Sequence, residues 1–217
     1  MIGTLLPPGV VSVEAFDDLP GEAPFPGEED LVATAVEGRR REFVTARRCA
    51  REALAVLGHP PAPIRSGARR EPLWPPGVVG SITHCRGYRA AAVAPRTLLT
   101  GIGIDAEPHG PLPDGVHDAV TVPGEPEMLA ALTATDPLIH WDRLLFSAKE
   151  SVYKAWYPLT GRWLGFDEAR LSIDPAAGAF GARLLVDGTR TDGGPSLTRL
   201  TGRFAVAGGL VVTAVTL

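Results

Sequence analysis

Three carboxylates and a small set of cations are the residues here whose types and spacing could do chemistry. In the stretch LLTGIGIDAEP, period-2 alternation puts Ile102, Ile104 and Ala106 on one face of a strand, and Gly103, Asp105 and Glu107 on the other. Two carboxylates two residues apart project side by side, roughly 7 Å between Cα atoms, close enough to share a divalent cation. A glycine facing the same way leaves room for a ligand to approach. The alternative is an exposed strand face ending at Pro108, although Asp and Glu are depleted in strands. A second stretch, WDRLLFSAKESVYKAWYP, carries the i,i+4 pair Glu150 and Lys154, with Lys149 on the flank between core and solvent. On its own such a pair reads as a solvated, salt-bridged face. Against the bland reading, only two of the chain's 21 basic residues are lysines, Lys149 and Lys154. Such compact, mobile ammonium groups suit phosphate oxygens beside a carboxylate-held metal.

Together, Asp105, Glu107 and Glu150 are hard oxygen ligands without His or Cys, the donor set of a magnesium site that could also take manganese. Candidate phosphate cations are Lys149, Lys154, Arg40, Arg47, Arg69 and Arg70. The chemistry favoured is attack on a phosphate ester or anhydride. There is no GxxxxGK[ST] loop, no helix-opening GxGxxG and no kinase signature, so nucleotide-triphosphate enzymes of those classes are not expected.

The elements that must position these groups are legible. Trp141, Leu144, Leu145, Ala148, Val152, Ala155 and Trp156 form one apolar stripe of a core-facing helix expected to stop at Pro158. An earlier helix, from about Glu28 to Leu57, sets Phe43, Ala46, Ala50, Ala53, Leu54 and Leu57 on one face. Arg40, Arg47 and Arg51 make a ridge along its edge, facing either a cleft or water. Arg69 and Arg70 sit in a proline-rich loop. VVGSITHC and YRAAAVA read as a hairpin joined at Arg86-Gly87, with His84 near the end of its first strand. Val10 to Phe16 alternates as a first strand, and four more strands follow the central helix. GEPEMLAALTA is helical, and His109 to Pro126 is otherwise loop-like. The expected fold is α+β, in two similar halves (1–108 and 109–217), each a long helix on a small antiparallel sheet. The ligand site would lie between them.

At 217 residues, 45% hydrophobic and 21% charged, the composition is that of a globular protein. A net charge of −4 offers no global case for nucleic acid or anionic membrane. Cys49 and Cys85 lack metal-ligand spacing and read as reduced thiols. No apolar run approaches a membrane span, and the N-terminus lacks a basic leader, so a cytoplasmic protein is expected.

GIGIDAEP, FSAKESVYKAWYP and REPLWPPGVVGSITHC resemble the three signature stretches of the 4′-phosphopantetheinyl transferases, in the long, pseudo-dimeric class that includes actinobacterial and enterobactin-type members. The resemblance extends through RRREFVTARRCARE and RWLGF. It implies an enzyme that moves phosphopantetheine from coenzyme A to a serine of acyl- or peptidyl-carrier domains of polyketide and nonribosomal peptide synthases, releasing 3′,5′-ADP; the two-half organisation suggests a monomer. Asp105, Glu107 and Glu150 would bind magnesium. Ala106 stands where some members have a further acidic residue. Lys149 and Lys154 would hold the pyrophosphate, and Arg40, Arg47, Arg69 and His84 would surround the phosphates, with Arg70 a further candidate. Asp105, Glu150 and Lys154 would be the catalytic residues, and Glu150, or a water beside it, would take the serine proton. Phe146, Tyr153 and Trp163 either line a slot for the pantetheine arm or pack in the core. The competing readings are a transferase of the same family devoted to fatty-acid carriers, a magnesium-dependent nucleotide or coenzyme A phosphohydrolase, and a non-enzymatic arginine-ridge binding module.

Overall fold

In the computed structural model, which describes residues 1–217, the two amphipathic stretches become 20-residue helices on antiparallel sheets. The first half holds β1 (Val11–Ala15), α1 (Glu37–Val56), β2 (Val78–Cys85) and β3 (Tyr88–Pro95). Its sheet runs β1-β3-β2. β2 and β3 form the hairpin expected around Arg86-Gly87, where Gly87 takes φ 78°, a left-handed value natural to glycine. α1 buries Ala50, Ala53 and Leu54 against Val78, Ala91 and Val93 of the sheet and Ile64 of the following loop.

α1 begins nine residues later than the hydrophobic period suggests, after a 3-10 turn at Glu29–Val32. Glu28 supplies the reason. Its buried carboxylate accepts hydrogen bonds from Arg51 Nη1 and the Ile64 amide, both at 2.7 Å, and so is tied to the far end of α1 and the loop beyond.

The second half holds β4 (Ile102–Pro108), α2 (Val116–Val120), α3 (Glu125–Thr135), α4 (Trp141–Thr160), β5 (Ala169–Asp174), β6 (Ala179–Leu184), β7 (Arg199–Ala207) and β8 (Leu210–Thr216). α2 lies in a segment expected to be loop. The sheet is ordered β4-β8-β7-β6-β5. All seven residues of the α4 stripe are buried, packed with Leu171, Phe180, Leu200, Val211 and Val215. Pro158 does not stop this helix. Proline's missing N–H removes one bond from the last turn, and α4 ends instead at Gly161, φ 65°, whose amide bonds the Tyr157 carbonyl at 2.8 Å.

β4, expected to close the first half, pairs along its whole length with β8, from Ile102↔Thr216 to Pro108↔Leu210. Its apolar face nevertheless belongs to the seam, because Ile102, Ile104 and Ala106 cluster with Tyr88, Ala90 and Ala92. Side chains of β2 complete the seam. Ser81 Oγ accepts from the Ile104 amide (3.1 Å) and Thr83 Oγ1 from the Ala106 amide (3.0 Å). No helix is long and apolar enough to cross a membrane.

Candidate active site

Gly103 decides how closely α4 can lie on β4. A Cβ placed there would fall 2.6 Å from the Ala155 nitrogen and against the Ser151 carbonyl. The glycine therefore admits the backbone of a helix, where the sequence suggested room for a ligand. This approach delivers Lys154 to the strand. Its Nζ donates to Asp105 Oδ1 at 2.7 Å and to the Ile104 carbonyl at 3.1 Å. Thr83 Oγ1 reaches the same Oδ1 at 3.4 Å. Asp105 is only 4% exposed, and its Oδ2 is buried with no hydrogen-bond partner. A buried oxygen of that kind is costly unless something binds it.

The other two carboxylates lie close enough to Asp105 to feel its charge. Burial raises the pKa of Glu107, Asp105 raises it further, and Arg143 opposes them. Burial raises Glu150 as well, Lys154 lowers it, and Asp105 raises it again. Yet no three Asp, Glu, His or Cys side chains form a ready-made metal cluster as they are paired here. Ion pairs explain why. Lys154 occupies Asp105 Oδ1, and Arg143 holds Glu107 Oε2 through Nη1 at 3.0 Å while its Nε and Nη2 donate to the carbonyls of Gly110 and Pro111. What fits a hard divalent cation is the chemistry of the donors, all oxygen and mutually repelling, and above all the orphaned Asp105 Oδ2.

Beside these groups opens a cleft of about 690 Å³ between the halves, within the 300–1,000 Å³ typical of cofactor sites. It gathers Arg47, Arg69, Arg70, His84, Glu150 and Lys154, and with them Arg39, which the sequence reading passed over. Arg47 is almost wholly buried. It donates to the Ile64 carbonyl (3.0 Å) and Ser66 Oγ (2.8 Å), and burial pushes its guanidinium down to about 10, leaving it charged at neutral pH. Arg69 and Arg70 ride a tight loop. The Gly67 amide bonds the Glu71 carbonyl at 2.8 Å, Glu71 Oε2 accepts from the Arg69 amide at 2.8 Å, and Arg70 takes φ 68°. A non-glycine residue in that region is held there by its surroundings. His84 packs its ring against the Arg39 guanidinium. Burial and that neighbouring cation push the imidazole down to about 3, so the ring is neutral and can accept from Arg39.

Two expected cations are elsewhere. Arg40 is exposed outside the cleft; helical phase aligns it with Arg47, but β2 and His84 lie on the side of α1 that Arg39 reaches. Lys149 is buried away from the cleft, its Nζ 2.8 Å from Glu125 Oε2 and 2.8 Å from the Phe166 carbonyl. Its partner lies 24 residues upstream, on an element whose placement spacing does not reveal. Of the aromatic trio, Tyr153 lines the cleft with Trp163 at 4.9 Å, and Arg69 lies over the Trp163 ring at 5.7 Å. Phe146 stacks on Phe166 instead, at 5.5 Å. Arg39, Arg143 and Glu125 are the site and support residues the sequence reading missed. The RRR tract was the only available signal, for Arg39.

Comparison with known proteins agrees with this architecture. Residues 27–94 match the model of the 4′-phosphopantetheinyl transferase N-terminal domain, and residues 101–197 that of the 4′-phosphopantetheinyl transferase superfamily. The chain is 56% identical to 4′-phosphopantetheinyl transferase Svp of Streptomyces mobaraensis, over 99% of this chain and 88% of that protein. It is 52% identical to 4′-phosphopantetheinyl transferase Npt of Nocardia iowensis, over 99% of each. It is 49% identical to 4′-phosphopantetheinyl transferase PptT of Mycobacterium tuberculosis, over 100% of this chain and 98% of the relative. With both halves matched in order and nearly full-length relatives at this identity, the chain belongs to the 4′-phosphopantetheinyl transferase superfamily.

Proposed function

We propose that this protein transfers phosphopantetheine from coenzyme A to a serine of an acyl- or peptidyl-carrier domain, in a magnesium-dependent reaction that releases 3′,5′-ADP. The observation that carries the reading is that Lys154, bonded to Asp105, lines a cleft rich in guanidinium groups together with Glu150. Arg39, Arg47, Arg69 and Arg70 offer charge-assisted, fork-shaped donors to the phosphates of the coenzyme. Neutral His84 orients Arg39. Lys154 bridges Asp105 and the cleft, where its ammonium can meet the diphosphate. Tyr153 and Trp163 offer an apolar wall to the pantetheine arm.

Glu150 is the group suited to take the proton of the serine hydroxyl, since burial raises its pKa toward the working range of a general base. The serine Oγ bonds to the β-phosphorus, the bond from that phosphorus to the oxygen bridging to the α-phosphate breaks, and 3′,5′-ADP leaves with the electron pair. Asp105, through Oδ2, with Glu107 and Glu150, would hold magnesium. Bound there, it supplies positive charge against the developing phosphate charge. The proposed carriers are those of polyketide and nonribosomal peptide synthases, met by a cytoplasmic monomer.

Intact mass of an apo carrier domain, incubated with the protein, coenzyme A and magnesium, tests the reading. A gain of one phosphopantetheine group, abolished by EDTA and by Asp105→Asn in a folded protein, is the expected result. Hydrolysis of the coenzyme without transfer to any carrier would replace it with a phosphohydrolase.

A further inference from the structure

The face of the second sheet turned away from α4 is covered only in part. Over β4 and β8, Ile104, Ala106, Val212 and Ala214 pack into the seam with the first half. Over β5, β6 and the first half of β7, up to Arg203, the same face is open to solvent. There the register sets Arg170 opposite Arg183, and Arg183 opposite Arg199, one arginine on each of three adjacent strands. None of the three takes part in an ion pair or a side-chain hydrogen bond. One row further along, Ser172 lies opposite Gly181, and Gly181 opposite Thr201. The glycine leaves a floor without a side chain between two hydroxyls, and the two rows together line a depression of about 210 Å³. Arg203 extends the positive charge along β7, and Asp174 is the only carboxylate in these three strands.

Like charges set directly opposite one another across strands are destabilising, and no carboxylate of this chain relieves them. We propose that this face docks an acidic helix of a partner protein. The spacing favours that occupant. Adjacent strands are about 4.8 Å apart, so the three arginines are laid out in steps of that size. Acidic residues three or four apart on a helix recur about every 5–6 Å. A helix lying across β5–β7 therefore presents one carboxylate to each guanidinium, with Ser172 and Thr201 beside them as hydroxyl donors. The row spans roughly two strand spacings, about 10 Å, more than a single oxyanion covers. No aromatic side chain on this face offers a base a stacking platform, which a single-stranded nucleic acid would use. The proposal does not depend on the transferase reading, since the cleft shares no residue with this surface.

The test is fluorescence anisotropy of the full chain with a labelled alanine-based helical peptide carrying Glu at i, i+4 and i+7. The same peptide with Gln in place of Glu, a labelled single-stranded oligonucleotide and inorganic phosphate serve as competing probes. Binding of the Glu peptide alone is expected, at least tenfold weaker for Arg183→Thr and lost in R170T/R183T/R199T. Thermal melting will show both variants folded, because threonine suits an exposed strand position. Failure of the wild-type protein to bind the Glu peptide overturns the proposal. So does undiminished binding by the triple variant, or preference for the oligonucleotide or phosphate over the peptide.

Discussion

Replacing Lys149 by methionine should destabilise the protein while sparing the chemistry of every molecule that remains folded. Lys149 and Glu125 form an ion pair whose side chains are 2% and 1% exposed. Burial pulls the lysine's pKa below its usual range, with Glu125 holding it up. Glu125 also accepts from the amides of Val122 at 2.8 Å and Leu171 at 2.7 Å, so it ties α3 and the start of β5 to α4. Removing one partner of a buried pair costs about 3–5 kcal/mol, because the other charge stays buried. Two backbone donors remain on Glu125, which argues for the lower end, about 3 kcal/mol. At roughly 2–4 °C per kcal/mol for a chain of this size, the midpoint should fall by about 6–12 °C. The double variant E125L/K149M should lose less than the two single variants summed, as expected for residues in direct contact. Urea denaturation and thermal melting measure the first part, and coenzyme A affinity of the folded fraction measures the second. A Lys149→Met protein of wild-type stability that no longer binds coenzyme A would refute the argument and return Lys149 to the phosphates.

Three further outcomes follow from the geometry. Gly103→Ala should cost about 1–3 kcal/mol, the range for overpacking, because the new methyl meets the backbone of α4; it should also weaken coenzyme A binding by shifting Lys154 off Asp105, measurable by calorimetry. In the ligand-free protein His84 titrates near 3, below its ordinary 6.5, so the unfolded chain takes up the proton first. The stability this contributes is intact above pH 6.5 and is lost as pH falls toward 3, about 2 kcal/mol by pH 5; denaturant midpoints of His84→Gln should be flatter over that window than those of the parent. Arg183→Thr should stabilise the fold by about 0.2–1 kcal/mol in thermal melting, since it removes the shared member of two like-charge pairs.

The sequence alone determined most of the elements, because each of those is a local pattern with a local cause, though not where α1 starts, the short α2 or where α4 ends. The period of α4 named its buried stripe residue by residue, and the alternation of β4 separated Ile104 from Asp105, since both follow from how side chains leave a regular backbone. The family resemblance rested on the same contiguous stretches. Only the tertiary structure decided which charges meet. Arg40 and Arg39 are neighbours on one helix, and their fates differ because β2 ends beside one of them. Lys149 and Lys154 share a helix, yet one is locked to Glu125 and the other meets Asp105 at the cleft, according to what packs against each side of α4. Gly103 looked like space for a ligand until the helix occupied it. The three carboxylates were legible as a set, but whether they stand free or paired depends on Lys154 and on Arg143, which is 36 residues from Glu107. Such long-range pairings are fixed by packing of the whole chain, and no window of sequence contains both partners and the surface that brings them together.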